Sequence, residues 1–350
     1  MDWYVIDAVE VAYKRTKRCL FEPFDLWKWV KLAIILMLVG GGSGHGGNSF
    51  NSFSNSGMDS GYGSDYISDY DPLDTIDDAI DLMFSAAVLA VIMVILLLII
   101  VFMYISSVME FVLVESLVSN NVRFWEYTRR FLGTGFQLFL IRIAALLLFL
   151  LVLALIVLPF IFIYDMPSGD NLWLSLIGGM MMIVFLLIVF VIIASVLGSF
   201  ISMSIPVAMY RKIGMLSAIL EVFRKFKLDW QQIIVYWVGR AVLGIIVGIV
   251  ALIALMLVLL VTLIPFLILD LIVYFLLSLV LSGSEWIVLV PLVLVEVILF
   301  IIAMALVSMP FGAFLKYHML SFVGKWYPEA DIPFCQGIDI NTEQAIVSLT

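Results

Sequence analysis

Glu296 stands near the middle of a long apolar run between Trp286 and Pro310. An ionised carboxylate at that depth in lipid costs about 2.5–3.5 kcal/mol on insertion scales, so it must be protonated, paired or facing water. Two basic residues, Arg142 and Arg240, each fall one or two turns inside another apolar run and are its candidate partners. Glu296, Arg142 and Arg240 together make a candidate intramembrane polar site. Its chemistry is either a buried helix–helix ion pair or the carriage of protons or a cation. A second, weaker candidate is a cation site at Asp69, Asp71 and Asp74, whose oxygens suit calcium. The EF-hand spacing, with its central Gly and terminal Glu, is missing there. Asp74, Asp77, Asp78 and Asp81 also place negative charge where a helix N-terminus favours it.

Nothing else in the chain resembles catalytic machinery. His45 lies in a glycine-rich segment and His318 beside the last apolar run, so no HExxH or histidine cluster can hold zinc. There is no Walker loop and no GxSxG elbow. Cys19 and Cys335 lie near opposite ends of the chain with no CxxC spacing. No cofactor, resident metal or catalytic residue is therefore expected.

The elements that carry these residues follow from composition. Of 350 residues, 64% are hydrophobic and 13% charged, where a soluble domain has about 45–50% and about 25%. The expected fold is an all-α integral membrane protein. Six stretches reach the roughly 20 apolar residues that a crossing needs: about 26–43, 82–108, 137–163, 180–206, 236–263 and 286–311. The first is the weakest, since Lys28 and Lys31 interrupt it, although lysines can snorkel to the surface. With six crossings and the N-terminus inside, all 18 Lys and Arg fall on the cytoplasmic side. The positive-inside rule then selects six spans, both termini cytoplasmic, in the plasma membrane. Leu271 to Leu281 is too short to cross and is expected as an interfacial or re-entrant helix.

A threefold repeat organises the spans as amphipathic elbow, span out, outer segment and span back. Pro159, Phe160 and Asp165 match Pro265, Phe266 and Asp270, and Lys212 and Lys316 each follow their proline, Pro206 and Pro310, by six residues. In the same register Gly178 and Gly179 align with Ser282 and Gly283, predicting a break before each return span. The repeat units run about 1–119, 120–217 and 218–325, with a flexible outer loop at 40–81. Residues 1–325 form the transmembrane domain and 326–350 a cytoplasmic tail.

Each unit opens with acidic and basic residues three or four apart: Glu10 and Lys14, Glu126 with Arg129 and Arg130, Glu221 with Arg224 and Lys225. In the first elbow Ile6, Val9, Tyr13 and Leu20 form an apolar stripe opposite Asp7, Glu10, Lys14 and Arg18. Such a helix can lie in the headgroup plane, so membrane lipids, with anionic headgroups near these elbows, are the expected partners. No nucleic-acid partner is expected.

The segment Leu20, Phe21, Glu22, Pro23, Phe24, Asp25, Leu26, Trp27, Lys28, Trp29, Val30, Lys31, Leu32, followed by Gly40, Gly41 and Gly42, resembles the opening of a group of uncharacterised archaeal membrane proteins. They share an "LF-PFDL--W-KL" segment and a glycine-rich first outer loop. More loosely, the elbow-and-span repeat is similar to the membrane domain of some glycerophosphoryl diester phosphodiesterases. Neither resemblance implies catalytic residues. The expected role is a non-enzymatic membrane protein that organises lipid or a protein partner. A transporter or channel using Glu296 is the alternative, and a membrane-embedded enzyme of unidentified chemistry the second.

Overall fold

The computed structural model describes residues 4–22, 24–42, 74–164, 172–280 and 286–334. They form eight helices: α1 (Tyr4–Leu20), α2 (Leu26–Gly42), α3 (Asp74–Val118), α4 (Phe124–Tyr164), α5 (Leu172–Tyr210), α6 (Met215–Leu228), α7 (Trp230–Val280) and α8 (Trp286–Trp326). Five of them, α3, α4, α5, α7 and α8, are long and apolar enough to cross a membrane. The chain is thus an all-helical protein of multi-pass membrane type. At 17 residues, α2 is shorter than these five.

Burial divides the bundle into two zones. On α3 every residue from 106 to 114 is buried, and so is every residue of α5 from 203 to 208 and of α8 from 316 to 323. A helix buried on all faces is surrounded by other helices. These three segments therefore form the centre, and α1, α2, α4, α6 and α7 pack around them. Beyond this packed end the helices change character. From 86 to 102 α3 is exposed at every position although its side chains are almost all apolar. Only a lipid solvent makes such a surface stable, since in water each large side chain so exposed forgoes about 1.5–3 kcal/mol of burial.

Local chemistry sets the joints at the packed end. The Asp25 carboxylate caps α2, accepting the backbone N–H of Trp27 at 2.9 Å. Trp29 Nε1 donates to the Leu20 carbonyl at 2.8 Å, and the rings of Phe21 and Phe24 lie against Trp29 with centroids 5.2 and 5.1 Å away. The aromatic residues of the "LF-PFDL--W-KL" segment thus close the bend between α1 and α2. Asn120, in the connection from α3 to α4, has φ 58°, a left-handed conformation that Asn tolerates better than most residues. The Nζ of Lys28 donates to its side-chain oxygen.

Several expectations change. α7 runs unbroken through Pro265 to Val280, so 271–280 is the end of a long helix and not a separate interfacial or re-entrant one. α5 likewise continues through Gly178 and Gly179 without a break. A run of good helix formers propagates one hydrogen bond per residue, and a single proline or glycine pair does not outweigh its neighbours. Residues 40–42 belong to α2 and 74–81 to α3, while 43–73 lie outside the described residues. The start of the expected tail is packed: Trp326, Tyr327 and Ala330 are buried, and the Arg15 guanidinium sits 3.4 Å over the Phe334 ring.

Part of the apolar stripe of α1 also faces the other way, although Leu20 at its end is buried. The helix packs on α8 through Val5, Ala8, Ala12, Thr16 and Cys19, whereas Ile6 and Tyr13 are 69% and 63% exposed. Small side chains let the backbones approach, which decides the face where hydrophobicity alone would choose Ile6 and Tyr13. α6 is built alike, with Met215, Ala218 and Val222 buried and Leu216, Leu220 and Phe223 exposed.

Candidate functional site

The three central helices meet around one carboxylate that sequence reasoning missed. Glu110 of α3 is buried, and Lys316 of α8 reaches its Oε1 at 2.8 Å. Arg142 of α4 takes the other oxygen, Oε2, through Nη2. Hydroxyls complete the cluster: Arg142 Nη1 donates to Ser107 Oγ at 3.1 Å, and Lys316 Nζ to Ser202 Oγ of α5 at 3.3 Å. One carboxylate faces two cations, so the group holds one positive charge in excess.

Each member is where the helix register puts it. Ser107 and Glu110 are three apart, on one face of α3. Lys316, placed by the repeat register as the partner in position to Lys212, is 4% exposed in the finished fold, not at a cytoplasmic surface. An apolar run that contained Glu110 close behind Ser106 and Ser107 was the available signal. The arrangement ties α3, α4, α5 and α8 together.

Arg142 is therefore not the partner of Glu296. Arg240 is not either: its Nη1 donates to Tyr236 Oη at 2.6 Å. Tyr236 in turn stacks on His318 (centroids 5.8 Å, 7°) and on Phe322 (4.2 Å), forming an aromatic column between α7 and α8. Glu296 of α8 is buried beside Asp270 of α7, and Glu296 Oε1 and Asp270 Oδ1 have no hydrogen-bond partner among the described residues. Two neighbouring carboxylates repel when both are ionised, and neither can then donate to the other. The three expected members of one site thus fall into three separate contacts, because pairing depends on depth along antiparallel helices.

The aspartate site is not assembled among the described residues: Asp69 and Asp71 lie outside them, and Asp74 is the first residue of α3. No group of three metal-binding side chains occurs among the described residues.

At the rim of the packed end, further charges are paired in the open. Arg211 binds Glu221 at 2.6 Å and also the Tyr327 hydroxyl, and both contacts raise its guanidinium above the ordinary range against the opposing effect of burial. Burial pulls Arg15 down to about 10, with Tyr317 and Cys19 opposing, so it stays cationic at neutral pH.

The model of a family of unknown function, DUF7544, matches residues 3–333. The chain belongs to this family. The DUF7544 match covers all eight helices, including the Glu110 cluster, the Asp270–Glu296 pair and both elbows. No curated protein and no solved structure matches the chain. For this DUF7544 protein the function must be argued from the surfaces it presents.

Proposed function

We propose that this protein is a non-enzymatic, six-span membrane protein whose packed, basic end faces the cytoplasm and organises lipid or a protein partner there. The observation that carries this reading is the two-sided build of α1 and α6. Each seats small residues on the bundle and turns apolar residues outward, Ile6 and Tyr13 on one and Leu216, Leu220 and Phe223 on the other. Basic neighbours Lys17, Arg18, Arg224 and Lys227 are exposed beside them. This is the pattern of helices that lie in a headgroup plane. Trp27, Trp125 and Trp230 stand exposed at the same end, at the starts of α2, α4 and α7, as an interfacial aromatic belt would.

Parity supports six crossings. Lys325 meets Asp7 at 2.9 Å, so α1 and the end of α8 share one end of the bundle. A chain that starts and finishes on one side crosses an even number of times, and five long helices leave one crossing to be made between Leu20 and Asp74. α2 begins that crossing: Ser106 Oγ donates to the Val39 carbonyl at 2.9 Å, which sets the last turn of α2 level with Ser106. The threefold repeat is supported by contacts between elements. α4 opens against α3, α6 lies on α5, and α1 lies on α8, so each elbow seats on a return span and the last closes on the first.

A transporter or channel is the second reading, favoured by the buried Glu296 with Asp270 beside it. The two are separated by one preparation. Purified protein in mixed-lipid nanodiscs should enrich acidic lipid over zwitterionic lipid, and proteoliposomes should leak protons and monovalent cations no faster than empty vesicles. A saturable flux lost in Glu296→Gln would establish the transporter reading instead. Absence of acidic-lipid enrichment would overturn lipid organisation.

A further inference from the structure

Between α2 and the start of α4 lies an open cavity of about 540 Å³, lined by Lys31, Ile34, Val122, Arg123, Trp125 and Glu126 among others. Its chemistry is graded. At one side stand two cations, Lys31 and Arg123, both exposed. Trp125, 73% exposed, flanks them, with Phe124 edge-on at 5.5 Å. Along α2, away from the charged end, the wall becomes Ile34, and Met37 follows three residues on, beyond the cavity on the same helix face, the two about half exposed at 48% and 49%.

We infer that this groove binds the phosphate of an acidic phospholipid, held between Lys31 and Arg123, with the first part of an acyl chain along Ile34 and Met37. The inference rests on the lipid-organising reading and names where on the protein that lipid sits. Three features select this occupant. The cations are water-accessible, as a headgroup requires. Among the described residues Lys31 forms no ion pair, and Arg123 is held only by Glu126 at 3.1 Å, an exposed pair of the kind that contributes little. The apolar wall continues from the cations toward the lipid-facing part of the bundle. A soluble anion would have no use for such a wall, whereas an acyl chain does. An exposed tryptophan between charge and apolar surface matches the depth of a headgroup.

The test uses full-length protein in detergent, loaded with phosphatidylglycerol or phosphatidylcholine of identical acyl chains and read by native mass spectrometry as the ratio of the two adducts. Wild type should favour phosphatidylglycerol. Lys31→Gln with Arg123→Gln should lower the ratio about fivefold per charge removed, and Lys31→Arg with Arg123→Lys should restore it. Lys212→Gln with Lys325→Gln, two exposed charges that belong neither to the groove nor to the outward faces of α1 and α6, should leave it within about twofold. An equal loss in both neutralised pairs would mean diffuse surface charge, overturning the groove while leaving the lipid-organising reading intact. No preference in wild type would overturn both. Displacement of the lipid by millimolar inorganic phosphate would identify a soluble ligand and overturn the lipid assignment.

Discussion

Lys316 and Arg142 bind opposite oxygens of the same buried carboxylate, Glu110, one from the last helix and the other from the helix that follows α3. A buried carboxylate that pairs with two cations holds the cluster together: removing it leaves both charges without a counter-charge in a low-dielectric core, whereas removing one cation leaves the other pair intact.

Glu110→Gln should therefore destabilise the protein by about 3–5 kcal/mol, and Lys316→Met by less. The double variant Glu110→Gln/Lys316→Met should be more stable than Glu110→Gln alone. Thermal unfolding of the purified variants in one detergent checks the order. A Glu110→Gln protein as stable as wild type would show that the cluster is solvated.

Close helix approach gives an independent check on the fold. A Cβ on Gly135 of α4 would fall 2.8 Å from the Val108 backbone of α3, which cannot step aside, while Gly133 has open space. Gly135→Ala should cost about 1–3 kcal/mol. Gly133→Ala should be neutral or stabilise by up to about 1 kcal/mol, since alanine is the better helix former. Equal effects at both positions would contradict the packing of α4 on α3.

The Asp270–Glu296 contact predicts tolerance of an amide. Glu296→Gln removes one of two neighbouring acidic groups and supplies an amide donor toward Asp270, so stability should change by less than about 1 kcal/mol. Glu296→Leu leaves Asp270 without that partner and should cost about 1–3 kcal/mol. A Glu296→Gln variant much less stable than Glu296→Leu would mean that Glu296 is ionised and paired elsewhere.

Orientation is tested by reporters. One fused after Lys325 should be active only in the cytoplasm, and one inserted near Asp65 only outside, because every Lys and Arg is assigned to one side in the six-span arrangement. Both reporters on the same side would end that arrangement.

The multi-pass helical class and the approximate places of the five long apolar helices were legible in the sequence, because hydropathy is additive over a segment and needs no partner to be counted. α8 begins at Trp286, where the last apolar run begins, and Asp74 to Asp81 fall in the first turns of α3, where acidic residues suit the helix dipole. The boundaries between elbow and span, and between outer helix and return span, were less legible. In α4, α5 and α7 one helix runs through both parts, and no local residue type is strong enough to force a break.

The polar contacts belonged to the tertiary structure. Sequence showed that Glu296 and Arg142 each needed a partner, because burying a charge in an apolar run is costly at any position. It could not say which partner, since that depends on helix order, rotation and depth together. Glu110 meets Lys316 across 206 positions of sequence, and Glu296 meets a second carboxyl group on α7. The outward turn of Ile6 and Tyr13 was decided in the same way: α1 carries apolar residues on two faces, and only its docking on α8 buried the small-residue face and left Ile6 and Tyr13 exposed.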